Sequence, residues 1–395
     1  CMKISDLVAG ISPSPTIAGS TKAKQMKAEG KDVLSFAIGE PDFGTPQNII
    51  DAAQRAMAEQ KTKYTPAGGI PELKKAICTA QERDLGLKYE PNQIVVSNGG
   101  KHALMNIWRT LLDPGDEVIM FAPYWVSYPE QVRLCGAKHV QISTSGDNGF
   151  QPDLGQVEAA INARTKAILV NSPSNPSGAV FDQKTIAGLG ELACKHDLTI
   201  VSDEIYKHIL YDGRKHLTTA ALSDELKERT IIADGVAKTY AMTGWRIGWM
   251  IAPPAFAKAA DNLQSQETSN PNSIAQWATV EALLGPQDSV QEMLAAFTAR
   301  RDYLVPALNE IEGVKCAKPG GAFYVFPDIS AHLGRTLGGR EIKTSVDMEL
   351  HLIENALIAT VAGGPFGSEG YIRLSFACSM AEIEKGVQRL KDALA

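Results

Sequence analysis

The chain has 395 residues, of which 44% are hydrophobic and 21% charged, and a formal net charge of −6. That length exceeds what one core of about 250–300 residues holds, so two domains are expected, and the acidic balance offers no basic face to nucleic acid. No stretch reaches the roughly 18 consecutive apolar residues of a membrane span, and the six cysteines form no C-x-x-C pair, which points to a cytoplasmic, reducing setting without a zinc site or membrane contact.

In chain order, "SFAIGEPDFGTP" (35–46) comes first and is expected to return to the second domain or to bridge a cleft. Short apolar runs then recur at 93–98, 116–123, 166–173, 198–203, 229–235 and 245–253, reading as buried strands of a mostly parallel sheet. Between them lie helix-like stretches such as "KHALMNIWRTLLD", in which Leu104, Ile107, Trp108 and Leu111 share one face. Strand and helix alternate, which is the α/β pattern. Past Pro286 the texture changes to long helical runs, then "GGAFYVFPD", "YIRLSFA" and a last helix. The expected division is an N-terminal arm with part of a small domain over 1–45, a large domain over 46–288 and the rest of the small domain over 289–395.

In open α/β sheets the functional loops lie past the carboxyl ends of strands. The unusual residues fall there: "SNGGK", "PYW", "NSPSNPSG", "DEIY" and "GVAK" each follow an apolar run. Lys238 in "GVAKTYAMTGWR" is a candidate nucleophile towards a carbonyl, if desolvation or a nearby cation such as Arg246 lowers its pKa. Asp203 closes an apolar strand, a costly place for a carboxylate unless it meets a cation. That cation can be a side chain in a buried ion pair or a protonated pyridine nitrogen. Gly99 and Gly100 precede a helix, so backbone N–H groups there, with Lys101 and Arg246, can hold a phosphate. The spacing is not that of a Walker loop, and the seven histidines show no metal-like spacing.

With these residues in view, the chain resembles the fold-type I pyridoxal 5′-phosphate enzymes of the class I aminotransferases. "KTYAMTGWR" matches the family's lysine-to-arginine pattern. "IGEPDFGTP", "KYTPAGGIPELK", "GGKHAL", "PYWVSYP", "NSPSNPSG", "SDEIY" and "YIRLSFA" stand in the family's order. The resemblance implies a seven-stranded, mostly parallel sheet in the large domain and a smaller α/β domain. It implies that Lys238 carries pyridoxal 5′-phosphate as a Schiff base and acts as general base, and that Asp203 meets the ring nitrogen. Asn175 and Tyr206 donate to the ring hydroxyl oxygen, and Trp125 stacks on the ring. Gly99, Gly100, Lys101 and Arg246 surround the phosphate, with Tyr64 reaching the phosphate of a second subunit. Arg373 takes the substrate carboxylate, which Gly39 approaches through its backbone. Together with Trp125 and Asn175 these residues line the substrate site, and the partners are an amino acid, a 2-oxo acid and a second copy of the chain.

Two departures bear on substrate. The phosphate loop lacks the hydroxyls that relatives often carry, with Gly99, Gly100, Gly235 and Ala237 in their places. The subgroup that the chain most resembles, bacterial aspartate and aspartate/prephenate aminotransferases, often has a lysine where Ser12 stands. Arg109 is the candidate to replace that missing cation. Aspartate with 2-oxoglutarate is the expected pair; neutral, aromatic or prephenate-type donors, and a β-lyase on the same scaffold, are the alternatives.

Overall fold

The computed structural model of the protein describes residues 2–11, 13 and 15–395. Its centre is a seven-stranded sheet: β1 (Ile94–Ser97), β2 (Glu117–Ala122), β3 (Lys138–Ser143), β4 (Thr165–Asn171), β5 (Thr199–Asp203), β6 (Thr230–Gly235) and β7 (Gly248–Ile251). The spatial order is β1-β7-β6-β5-β4-β2-β3. Every residue of β2 and β6 is buried, as expected of strands covered on both faces.

Two features depart from the expectation of simple strand–helix alternation. β3 is an edge strand, and only Ile142 of its residues is buried, so it offers no apolar run to read. β7 lies antiparallel to both of its neighbours. The connection from β6 to β7 holds turns and one short 3₁₀ segment (Thr243–Trp245), with no crossover helix. A parallel return needs a crossover, usually helical, so this short link reverses the strand.

That reversal organises one edge of the sheet. β1, β2, β4, β5 and β6 all deliver their carboxyl ends to the same edge, and β7 delivers its amino end there. In register terms Asn171 pairs with Asp203, and Asp203 with Ala233. The helix Gly100–Leu111 starts at this edge and buries Leu104, Ile107 and Trp108 against Val95, Met120 and Met250. Leu111 packs on the margin of the same cluster.

A separate core is built from the C-terminal part. Phe297, Leu304, Phe323, Leu374, Phe376 and Ile383 lie at its centre. The helices Asp288–Asn309, Ser345–Asn355 and Met380–Leu394 belong to this part, as does a three-stranded antiparallel sheet in which Ile372–Ser375 is central. The early strand Leu34–Ser35 pairs in parallel with Ile358–Ala359. Among the described residues no helix is long and apolar enough to cross a membrane.

Ile107 anchors the helix that begins at the glycine pair and is fully buried. Ile107→Ala is expected to cost about 2–5 kcal/mol through lost transfer energy and a cavity, read as a lower urea midpoint with an unchanged slope.

Candidate active site

At the shared strand edge lies a cavity of about 510 Å³, within the range of small-molecule and cofactor sites. Gly39, Gly100, Lys101, Trp125 and Asn175 line it, and so do Asp203, Tyr206, Lys238, Arg246 and Arg373. Residues far apart in sequence meet there because most sit at strand ends or in the segments that adjoin them, while Arg373 is brought in on the central C-terminal strand.

Lys238 lies in the turns directly after β6. Its ammonium donates to the carbonyl oxygen of Gly39, which belongs to the 35–46 segment crossing over from the other core. Burial pushes the lysine pKa down to about 8; the Glu40 carboxylate opposes the shift, and Arg373 and Arg246 add to it. A fraction of this amine is therefore neutral near physiological pH, as a nucleophile or proton acceptor requires.

Asp203 ends β5 and is buried. Its carboxylate accepts from the Tyr128 hydroxyl at 2.6 Å and from the Ile205 N–H at 3.2 Å. Among the described residues it has no salt bridge, and burial pushes its pKa up to about 6 despite those two bonds. Asp234 and Glu204 push the same way, whereas Asp234 itself is paired with Lys207 at 2.6 Å. Of the two readings of Asp203, a buried side-chain ion pair is ruled out among the described residues. A carboxylate so placed fits a cationic ligand atom.

At another side of the cavity stand Arg246 and Lys101. Arg246 has a left-handed backbone, φ +58°, and donates to the carbonyl oxygens of Thr243 at 2.9 Å and Asn98 at 3.5 Å. No carboxylate among the described residues pairs with it. Gly99 has φ +88°, a backbone that L side chains rarely adopt, so glycine is required for the turn, and the Arg246 guanidinium packs directly against it. The Lys101 ammonium lies 4.9 Å from the Trp125 ring centroid, and burial followed by Arg246 lowers its pKa. Two unpaired cations beside the start of a helix form an anion site.

Arg373 is fully buried on the central C-terminal strand. It donates to Asn175 Oδ1 at 2.9 Å and to the Ala37 carbonyl at 2.7 Å, and its Nε is without a partner. Burial lowers its pKa, and no carboxylate among the described residues forms a salt bridge with it. A buried guanidinium with no carboxylate partner among the described residues, beside an open cavity, is arranged for a carboxylate from outside the chain. Tyr206 shares a 2.8 Å hydroxyl contact with Tyr324. The Tyr324 ring in turn lies 4.6 Å from the guanidinium carbon of Arg373.

Three expectations fall outside this assembly. Arg109 does not reach the cavity: its guanidinium pairs with Glu267 at the end of the neighbouring helix Pro254–Glu267, so its charge is already committed. Tyr64 lies away from the cavity with 91% of its surface exposed. Ser12 lies outside the described residues. Conversely, Tyr128, Tyr324, Glu40 and Lys24 belong to the cavity without having been singled out. Tyr128 and Tyr324 lay inside quoted motifs, and an aromatic in such a run reads as core. Glu40, which accepts from the Thr243 hydroxyl at 2.7 Å, was visible only as part of "GEPDF". Nothing in the sequence pattern marks Lys24.

Comparison with known proteins agrees with the geometry. The family model for "Aminotransferase class I and II" matches residues 31–390. The aspartate aminotransferase of Bacillus subtilis is 45% identical over 390 residues, 99% of this chain and 98% of its own. An aspartate/prephenate aminotransferase of Cereibacter sphaeroides is also 45% identical, with 98% of each chain covered. Among solved structures, aspartate aminotransferase of Thermus thermophilus with maleate superposes with a TM-score of 0.94 at 41% identity over the whole of both chains. That of Rhizobium meliloti superposes with 0.96 at 42% identity, covering 100% of this chain and 99% of its own. The chain belongs to the class I and II aminotransferases; it is a transaminase with the fold-type I architecture.

Two pH effects follow. In the protein without cofactor, modification of Lys238 by an amine-directed reagent should rise through about pH 8 and then level, whereas an ordinary lysine rises through 10.5. Because the folded-state pKa of Asp203 is raised to about 6 from 3.8, the stability it contributes is full below pH 3.8 and is lost as pH rises through 6. Asp203→Asn should therefore raise the melting temperature of the cofactor-free protein at pH 7 and have little effect at pH 4.

Proposed function

We propose that the cavity binds pyridoxal 5′-phosphate and that the protein moves an amino group between aspartate and 2-oxoglutarate. The observation that carries the reading is Asp203, a buried carboxylate with no salt bridge among the described residues, in one cavity with a desolvated lysine and an unpaired arginine. Bound pyridoxal phosphate supplies an aldehyde for amino groups and a ring that accepts the electron pair of a deprotonated carbon.

The chain's own residues then divide the work. Lys238 would tether the cofactor, and its amine, when free, would move the proton at the substrate Cα. Asp203, held by the Tyr128 hydroxyl, would keep a proton on the ring nitrogen. Asn175 and Tyr206 would donate to the ring hydroxyl oxygen, and Trp125 would pack beside the ring. Arg246, Lys101 and the N–H groups of Gly100 and Lys101 at the start of the helix would hold the phosphate, the Gly99 N–H being bonded to the Ser97 carbonyl at 2.8 Å. Arg373 grips the substrate α-carboxylate as a fork, and Gly39 leaves room for it. The two half-reactions share one site, so kinetics are ping-pong.

Dicarboxylic substrates are favoured by the cavity's charge: Lys24, Lys101, Lys238, Arg246 and Arg373 line it against Glu40, Asp203 and Asp234. With Arg109 engaged elsewhere and Lys101 given to the phosphate, Lys24 is the basic side chain left among the described lining residues for a distal carboxylate. The names of the relatives point the same way. A second reading, that prephenate or an aromatic side chain is also accepted, is favoured by the relatives named for prephenate and by Ile38 and Leu104 on the cavity wall.

The working unit in this reading is a homodimer in which the exposed Tyr64 of each subunit completes the other's phosphate site. Within each subunit the large body spans 46–288, and the smaller one spans 289–395 with part of 1–45.

A half-reaction screen tests the assignment. The cofactor-loaded protein is mixed with single amino acids and its visible absorbance followed. Aspartate and glutamate should react; failure of both, with reaction of phenylalanine or alanine, would overturn the substrate. Lys238→Ala should lower turnover by about 10²–10⁴-fold or more, and turnover at the parental rate would end the mechanistic assignment.

A further inference from the structure

Two glutamines that take no part in the proposed chemistry are fully buried and bonded to the loop that follows Tyr64. Gln264, on the helix Pro254–Glu267, uses its whole hydrogen-bonding capacity. Its Nε2 donates to the carbonyl oxygens of Ala67 at 2.6 Å and Val96 at 2.7 Å. Its Oε1 accepts from Ser97 Oγ at 2.6 Å and Asn106 Nδ2 at 2.9 Å. Gln276, on the helix Ser273–Leu284, accepts from the Ile70 N–H at 2.8 Å. It also donates to Thr65 Oγ1 at 3.2 Å and to the Pro271 carbonyl at 3.0 Å.

Between them the two amides grip the loop at Thr65, Ala67 and Ile70, and the Val96 N–H adds a bond to the Gly68 carbonyl at 3.0 Å. Surface loops are ordinarily the mobile part of a fold. This one is fastened from beneath at four residues, while the residue just before it, Tyr64, stands 91% exposed. A side chain held ready in solvent, on backbone fixed by buried bonds, has the form of a contact ordered in advance for something outside the chain. Gln264 also touches Ser97, directly ahead of the glycine turn, and Asn106, on the helix that starts there.

We propose that Gln264 and Gln276 are positioning residues that hold the 65–70 loop so that Tyr64 is presented, already ordered, to the phosphate end of a second copy's cavity. The inference rests on the shared-site homodimer reading above. Through Gln264 the loop that a subunit lends out is fastened to the anion-binding turn that it keeps.

The test is equilibrium binding of pyridoxal 5′-phosphate and of pyridoxal, which lacks the phosphate, to the cofactor-free dimer. Gln276→Leu and Gln264→Leu should each weaken pyridoxal phosphate about tenfold, with pyridoxal within about twofold of the parent. In a Tyr64→Phe background Gln276→Leu should produce no further loss, because it acts through Tyr64. Gln264→Leu should keep a residual loss there, because it also holds Ser97 and Asn106. Equal weakening of both ligands, or an undiminished Gln276→Leu effect in the Tyr64→Phe background, overturns the proposal. Should the glutamine variants not fold, Thr65→Val, which removes only the loop's hydroxyl partner, is judged by the same two comparisons with an expected loss of about threefold. If Tyr64→Phe itself leaves phosphate-dependent binding unchanged, the shared-site reading falls and takes this inference with it. A Tyr64→Phe loss without any glutamine effect overturns this inference alone.

Discussion

An amine and a carboxylate are buried in one cavity and kept from neutralising each other. Lys238 is directed to a backbone carbonyl of the 35–46 segment, and Asp203 to a tyrosine hydroxyl. Each is shifted towards its uncharged form by burial. A direct ion pair would be the cheaper arrangement for the isolated chain. The fold forgoes it, and both groups are left with reactivity that a third species can use. The guanidiniums of Arg246 and Arg373 extend the same principle: among the described residues neither has a carboxylate partner, and their bonds go to uncharged oxygens.

The sheet makes this possible. Strand ends converge because parallel strands bring their carboxyl termini to one edge, and β7, running the other way, adds its amino end. Lys238 and Arg246 therefore bracket one short connection, fixed at both ends in fully buried strands. Their mutual position is set by rigid elements and not by a mobile loop. Arg373 and Gly39 come from the other core, so the cavity is complete only when the two cores are in contact.

Much of this was legible in the sequence because strand-end punctuation and motif order survive without coordinates. Asp203 and Lys238 stood out as charged residues directly after apolar runs. β3 was not legible as a run, since an edge strand with one buried residue carries no apolar signal. The reversal of β7 was hidden as well, because an apolar run has no direction. Tyr128 and Tyr324 read as ordinary core aromatics until their hydroxyl partners were known. Arg109 illustrates the converse: a cation near the site in sequence was already satisfied by Glu267, a residue distant in sequence. Buried amides such as Gln264 and Gln276 give no pattern at all, because their importance lies wholly in which backbone groups they meet.

The parallel pair Leu34–Ser35 with Ile358–Ala359 has a consequence for how the molecule is made. During synthesis the partner strand emerges only after the entire seven-stranded sheet has left the ribosome. The strand Leu34–Ser35, which leads into the segment whose Gly39 carbonyl receives Lys238, therefore waits unpaired while much of the cavity can already assemble. A nascent chain stopped short of residue 358 would carry its lysine but lack the strand that pairs with Leu34–Ser35. Closure of the site is thereby deferred to the end of translation, and a truncated product lacks Arg373 as well as its covering strand.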